Sequence, residues 1–310
     1  MAILLFVVGL GLVVYFSERL VEGVVGTSVS FGISAFLISV IFLGFDPENL
    51  AVGATGSYEQ VAGIALGSVV GAAMVAVALA FGITALLAPM RFERVSKRIL
   101  STPVLAVLLF GLLSLDGRLS RLDGGILLLG FVAAICYLLW LSRRGLDIKA
   151  TGEVAEALEQ EEPPGRWASV GLFAFSLVAI VVGSELLITG SETIIERMGI
   201  SDTAFGMTIL AFLVSIEELA RELPAALKGR SEISFGNVVG SILAFFLFNA
   251  GIIALVQPVP VSAQVLSFYL PVCLLTVIVL TAFMLRGRVS RWAGAVLVLL
   301  YGIFAAGGYF

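Results

Sequence analysis

Ser184-Glu185-Leu186-Leu187-Ile188-Thr189-Gly190 repeats Ser17-Glu18-Arg19-Leu20-Val21-Glu22-Gly23 at a distance of 167 residues. Gly32-Ile33-Ser34 returns as Gly199-Ile200-Ser201 at the same distance, and Gly67-Ser68-Val69-Val70-Gly71 returns as Gly236-Asn237-Val238-Val239-Gly240 at a distance of 169. Between these pairs, Glu48 and Glu218 stand in a similar frame, 170 residues apart. Matches that keep one order along the chain mark an internal repeat half the length of the protein.

The sequence around the repeats is built for lipid. The chain of 310 residues is 60% hydrophobic and only 13% charged, with a mean hydropathy of +1.11. A soluble domain is roughly half apolar and about a quarter charged, so this composition excludes a soluble enzyme. The apolar runs are about 20 residues long, the length a helix needs to cross roughly 30 Å of hydrocarbon. They lack the alternation of a barrel strand. Ten spans are predicted, at about 1–25, 34–56, 63–88, 99–115, 122–142, 168–194, 202–227, 234–257, 265–285 and 290–309. The first run has no basic leader and no small-residue cleavage site and reads as a retained span.

Five spans fall in each half, an odd number, so the second half enters the membrane the other way up. The predicted fold is an all-α polytopic membrane protein of two inverted five-helix repeats, 1–142 and 168–310, the plan of secondary transporters with ion sites where the repeats meet. Residues 143–167 form the acidic linker between them, with Glu153, Glu156, Glu159, Glu161 and Glu162 in it. Lys and Arg crowd one set of loops, among them Arg91, Arg94, Lys97, Arg98, Arg143, Arg144, Lys228 and Arg230. The opposite loops hold Arg118, Arg121 and Arg197. The richer side is predicted cytoplasmic, which puts the linker inside and both termini outside.

Absences narrow the function. There is no histidine, which removes imidazole metal sites, histidine-based triads and the usual zinc protease signatures. The net charge of −4 argues against a nucleic-acid partner. No obligate protein partner and no resident cofactor are predicted. Cys136 and Cys273 lie in apolar runs and read as buried small hydrophobes.

A carboxylate inside a span costs several kcal/mol unless it meets a cavity or a partner. Such residues cluster in the second span of each half. In Gly44-Phe45-Asp46-Pro47-Glu48-Asn49, Pro47 removes a helical N–H and pushes Asp46 out of helical geometry. The segment predicts a broken helix with carbonyl oxygens beside two carboxylates, which suits a hard cation. A kinked helix with a satisfied polar bend is the plainer alternative. In Ser215-Ile216-Glu217-Glu218-Leu219-Ala220-Arg221-Glu222, residues Ser215, Glu218 and Glu222 share a helical face. Glu217 and Arg221 are spaced to form an ion pair. Glu222, nearer the helix end, is expected to reach water.

The third span of each half opens with Gly67 and Gly71, and with Gly236 and Gly240, residues that let helices approach closely. Asn237 and Ser241 are a turn apart and offer neutral oxygens, and Asn249 continues roughly on their face. Glu18, Glu22 and Arg19 in the first span, with Glu185 and Glu192 in the sixth, are expected near an interface.

These motifs resemble the sodium/calcium exchanger superfamily. Asp46-Pro47-Glu48 is similar to the end of that family's Gly-Thr-Ser-x-Pro-Glu motif, and Ala211 to Leu219 resembles its second copy, keeping Ser215 and Glu218. Gly236-Asn237-Val238-Val239-Gly240-Ser241 matches the third-helix motif. Leu213, Val214 and Glu217 depart from the Gly, Thr and Pro of that motif, and Phe245 stands where a polar ligand is usual. The resemblance implies Ca²⁺ exchanged for Na⁺ or H⁺ as transported cargo, in a bilayer, with Glu48 and Glu218 as metal ligands. Asp46, Asn49, Ser215, Asn237 and Ser241 assist, and the first and sixth helices move over a fixed core. A non-transporting cation-binding or regulatory membrane protein of the same fold, and an antiporter for another divalent cation, remain alternatives.

Overall fold

The computed structural model describes residues 1–33, 38, 44–91, 98–142, 157–158, 165–229 and 231–309, without the side chains of Ser142, Arg221, Ala225, Glu232 and Ile233. Along the first half come α1 (Ala2–Ser30), α2 (Pro47–Tyr58), α3 (Ala62–Leu87), the strand β1 (Met90–Arg91), α4 (Ser101–Leu113), β2 (Arg118–Leu119) and α5 (Arg121–Ser142). The second half opens with α6 (Arg166–Met198). In α7, Asp202–Ala204 runs on through Phe205–Leu210 and Ala211–Val214. Then come α8 (Glu217–Leu227) and α9, in which Ser231–Leu243 continues through Ala244–Asn249 and Ala250–Val256. It closes with β3 (Val259–Pro260), α10 (Val265–Leu285), β4 (Arg288–Val289) and α11 (Arg291–Ala306).

Among the described residues, eight helical stretches are long and apolar enough to cross a membrane, one of them running from α7 through the break into α8. The span expected at 99–115 is a helix of 13 residues, about 20 Å at 1.5 Å per residue. Much of the span expected at 34–56 lies outside the described residues. Its remaining part is a fresh helix that starts at Pro47.

Two layers differ in what covers them. In α3 and α9, 83% of the apolar stretch is buried, against 28% in α1 and 33% in α6. α3 and α9 therefore form the centre and α1 and α6 the flank. The centre packs closely because its helices are stripped of side chains where they cross. A Cβ on Gly67 would collide with the backbone of Gly206 on α7, and one on Gly71 would meet Met207 and Ala211. Both glycines act as the sequence suggested. Stretches of π-helix occur in α3 (Gly67–Gly71 and Val75–Ala80), α7 (Phe205–Leu210) and α9 (Ala244–Asn249). Such turns cluster at functional sites.

α1 and α6 span 29 and 33 residues, about 44 and 50 Å. They run antiparallel, since Gly190 abuts Phe6, Gly183 abuts Leu12, and Gly23 abuts Phe173. Arg166 at the head of α6 lies over the ring of Phe31 just past the end of α1, 4.2 Å from its centroid. Ser17, Thr189 and Ser191 each donate their hydroxyls to the carbonyl four residues back, which satisfies them inside an apolar helix. Arg19 pairs with Glu22 at 2.8 Å, while Glu18, Glu185 and Glu192 are exposed.

Two small ribbons tie the halves together. β1 pairs antiparallel with β4, and β2 with β3. Cys273 is buried as expected, but Cys136 is exposed on α5. α5 buries little of its apolar stretch, so it has an uncovered face for Cys136 to lie on.

Candidate cation site

Two short helices, α2 and α8, are each entered through irregular backbone, and each carries a glutamate in its first turn. In the first half, Gly44 has φ +68, a conformation open to glycine at little cost. A Cβ there would strike the backbone of Gly240 and Ser241 on α9. Asp46 is extended and caps α2, its carboxylate accepting from the Asn49 backbone N–H at 2.8 Å. Pro47 takes the first helical position, where its missing N–H costs nothing. Pro47 therefore opens a helix instead of kinking one, and Glu48 is the second residue of that helix. In the second half, α7 ends at Val214, Ser215 leaves helical geometry with φ −106 and ψ 13, and α8 begins at Glu217. Glu218 is the second residue of α8. A carboxylate in this position faces the positive end of the helix dipole.

The break at Ser215 changes one expectation. Ser215 lies outside α8, so only Glu218 and Glu222 share a helical face. The break was not visible in sequence because Leu213, Val214 and Ile216 continue an apolar run.

The structure brings both breaks together. The Asn49 side-chain amide donates to Asp46 Oδ2 at 2.9 Å and to Ser215 Oγ at 2.8 Å. The Asn249 amide donates to the Asp46 carbonyl at 3.5 Å. On the α8 side, the Asn237 amide donates to Glu218 Oε2 at 2.8 Å and to Glu222 Oε1 at 3.3 Å. Ser241 is buried beside Gly44. The predicted pairing of Glu217 with Arg221 falls on a side chain outside the described residues.

Burial is nearly complete. Asp46, Glu48, Glu218 and Glu222 are between 0% and 2% exposed. Glu222 does not reach water as expected, because α9 lays Asn237 over it. Each amide has an N–H on a carboxylate or carbonyl oxygen, which can only accept, and this turns its own oxygen away. Among the described residues, Asn49 Oδ1, Asn249 Oδ1 and Glu222 Oε2 are buried with no hydrogen-bond partner. A buried oxygen without a donor is costly, and a cation is a partner that removes the cost. The donor set of carboxylates, amide oxygens and a hydroxyl suits a hard ion. Among the described residues no three acidic side chains converge as a metal cluster, so neutral oxygens would have to complete the shell of a bound ion.

Comparison with known proteins agrees with this arrangement. A family model described as "Sodium/calcium exchanger protein" matches residues 1–140 and 168–309. The chain belongs to the sodium/calcium exchanger protein family. This exchanger is 27% identical over 337 residues to the sodium/calcium exchanger MaX1 of Methanosarcina acetivorans, covering 97% of this chain and 96% of that one. It is also 27% identical to the putative antiporter CaxA of Alkalimonas amylolytica, with the same coverage. The solved structure of the sodium-calcium exchanger NCX_Mj, soaked with Na⁺ and Sr²⁺, superposes with a TM-score of 0.63 at 26% identity, covering 99% of each chain. The exchanger is therefore an all-helical, multi-pass membrane protein of a cation-exchanging family.

Proposed function

We propose that this exchanger carries Ca²⁺ against Na⁺ or H⁺ by alternating access, with Glu48 and Glu218 as the central ligands. Asp46, Asn49, Ser215, Asn237 and Ser241 line the same site, and Asn249 joins them. The observation that carries the reading is the matched pair of buried glutamates, each second in a half-helix entered through a backbone break. One cation held between two carboxylates excludes a competing cation from them, and exclusive occupancy is what couples two fluxes.

We read the chain as ten spans in two inverted repeats joined by a cytoplasmic acidic linker, with both termini outside. The ribbon pairing supports the repeat, because β1 corresponds to β3 and β2 to β4 at the repeat distance. The family match leaves out residues 141–167, which supports the linker. The light burial of α1 and α6 supports their movement over a fixed centre. The coupling ion stays open between Na⁺ and H⁺. A relative named Ca(2+)/H(+) antiporter ChaA, of Bacillus subtilis, is 29% identical over 59% of this chain.

Reconstituted protein is tested for radioactive Ca²⁺ uptake, first against an outward Na⁺ gradient and then against an outward H⁺ gradient. Uptake with one gradient names the coupling ion, and Glu48→Gln and Glu218→Gln abolish it. Uptake unchanged in both variants rejects the site. No uptake under either gradient rejects Ca²⁺ exchange and favours another divalent ion or a binding role.

A further inference from the structure

The carboxylate of Glu222 has no use in the site as drawn around Glu48 and Glu218. It sits one helical turn past Glu218 on α8, is 1% exposed, and shares the Asn237 amide with Glu218. Its Oε1 accepts the longer of the two bonds, at 3.3 Å, and its Oε2 has no hydrogen-bond partner among the described residues. A structural acid buried this deeply would be expected to satisfy both oxygens, since each orphaned lone pair adds to the cost of burial. At the repeat distance of 170, the position of Glu222 corresponds to Val52, itself buried on α2. The fold therefore tolerates an apolar residue at this place in the first half, and the acid in the second half is not needed to build it.

We propose that Glu222 is a further ligand for the transported divalent cation, forming with Glu218 a two-carboxylate subsite bridged by Asn237. The inference rests on the exchanger reading and extends its site toward the C-terminal end of α8. The open Oε2 takes the cation directly. A cation shared between Glu218 and Glu222 neutralises both acids at once and gives the open Oε2 of Glu222 its partner. The subsite belongs to one half alone, so the path from Glu218 toward that end of α8 carries an anionic step that the path from Glu48 lacks.

The experiment is equilibrium binding of radioactive Ca²⁺ to the purified full chain, with the Ca²⁺-induced rise in melting temperature measured alongside. Glu222→Gln keeps the shape and the bond from Asn237 but loses the charge. Ca²⁺ affinity is expected to fall about tenfold or more, and the Ca²⁺-induced rise to shrink, while the melting temperature without Ca²⁺ holds or increases. Glu222→Asp, which keeps the charge on a shorter stem, falls between the two. Wild-type Ca²⁺ affinity in Glu222→Gln overturns the proposal, and so does a wild-type value in Glu222→Asp should the glutamine variant fail to fold. Loss of the Ca²⁺-free melting transition in both variants makes Glu222 a structural acid and also overturns it. Wild-type Ca²⁺ binding in Glu48→Gln and Glu218→Gln would instead reject the exchanger site, whatever Glu222 does.

Discussion

The side-chain amide of Asn49 lies 2.8 Å from the hydroxyl of Ser215, a bond that joins the start of α2 to the break between α7 and α8. The same amide also holds the Asp46 carboxylate that caps α2. One residue thus fixes both the start of a half-helix and its distance from the opposite break. Both glutamates are placed by elements that meet at this contact.

Asn49→Ala removes the donor from two buried acceptors at once. The expected loss is about 1–3 kcal/mol of stability, seen as a lower melting temperature in detergent, together with weaker Ca²⁺ binding. Ser215→Ala removes only one acceptor of that amide and is expected to cost less. Equal losses in the two variants would mean that the link to Ser215, not the hold on the Asp46 cap, is what the Asn49 side chain supplies.

Gly44→Ala is expected to fail severely. The residue combines φ +68 with a Cβ position occupied by the backbone of Gly240 and Ser241, so a methyl group has nowhere to go. Gly229→Ala is the control, with φ +71 and open space around it. It is expected to cost about 1 kcal/mol. The yield of monodisperse protein from the two variants compares them directly.

Gly67→Val pushes α3 off α7 at a crossing where Gly206 offers only backbone. Transport and folded yield are both expected to be lost. Gly171→Ala, with nothing near its Cβ position on α6, is expected to be neutral or to stabilise by about 0.5–1 kcal/mol through lower chain entropy. A folded, active Gly67→Val would show that the centre is packed less tightly than these contacts require.

Thr208 and Tyr309 share a hydroxyl bond at 2.8 Å that pins the last described turn to the π-helical stretch of α7. A double-mutant cycle with Thr208→Val and Tyr309→Phe is expected to give a coupling of about 0.5–1.5 kcal/mol. Strict additivity would show that the bond contributes nothing.

Hydropathy carried most of the fold, because lipid demands long apolar helices and tolerates few exceptions. The exceptions led directly to Glu48 and Glu218. Local backbone events were less legible. Asp46-Pro47 is a helix-start signature, a cap and then a first position, but inside an apolar run it read as a break in one span with free carbonyl oxygens, not as the capped start of a helix. The break at Ser215 leaves no composition signal, since its neighbours are as apolar as any helix interior. The depth of Glu222 depends on where α9 lays Asn237, a tertiary fact that no local pattern records. Asn249 was noted only for its face, because its bond to the Asp46 carbonyl crosses 203 residues of chain.

The ribbons at Met90–Arg91 with Arg288–Val289, and at Arg118–Leu119 with Val259–Pro260, are traded between the halves. Each half lends a strand before α4 or α10 and borrows one after it. A contact of this form is self-complementary, as in a two-fold dimer. It asks for two copies of a half but not for a peptide bond between them. The four strands and the α1–α6 face all lie outside residues 143–164, so two fragments divided within that stretch are expected to reassociate through the ribbons, with the covalent joint supplying local concentration.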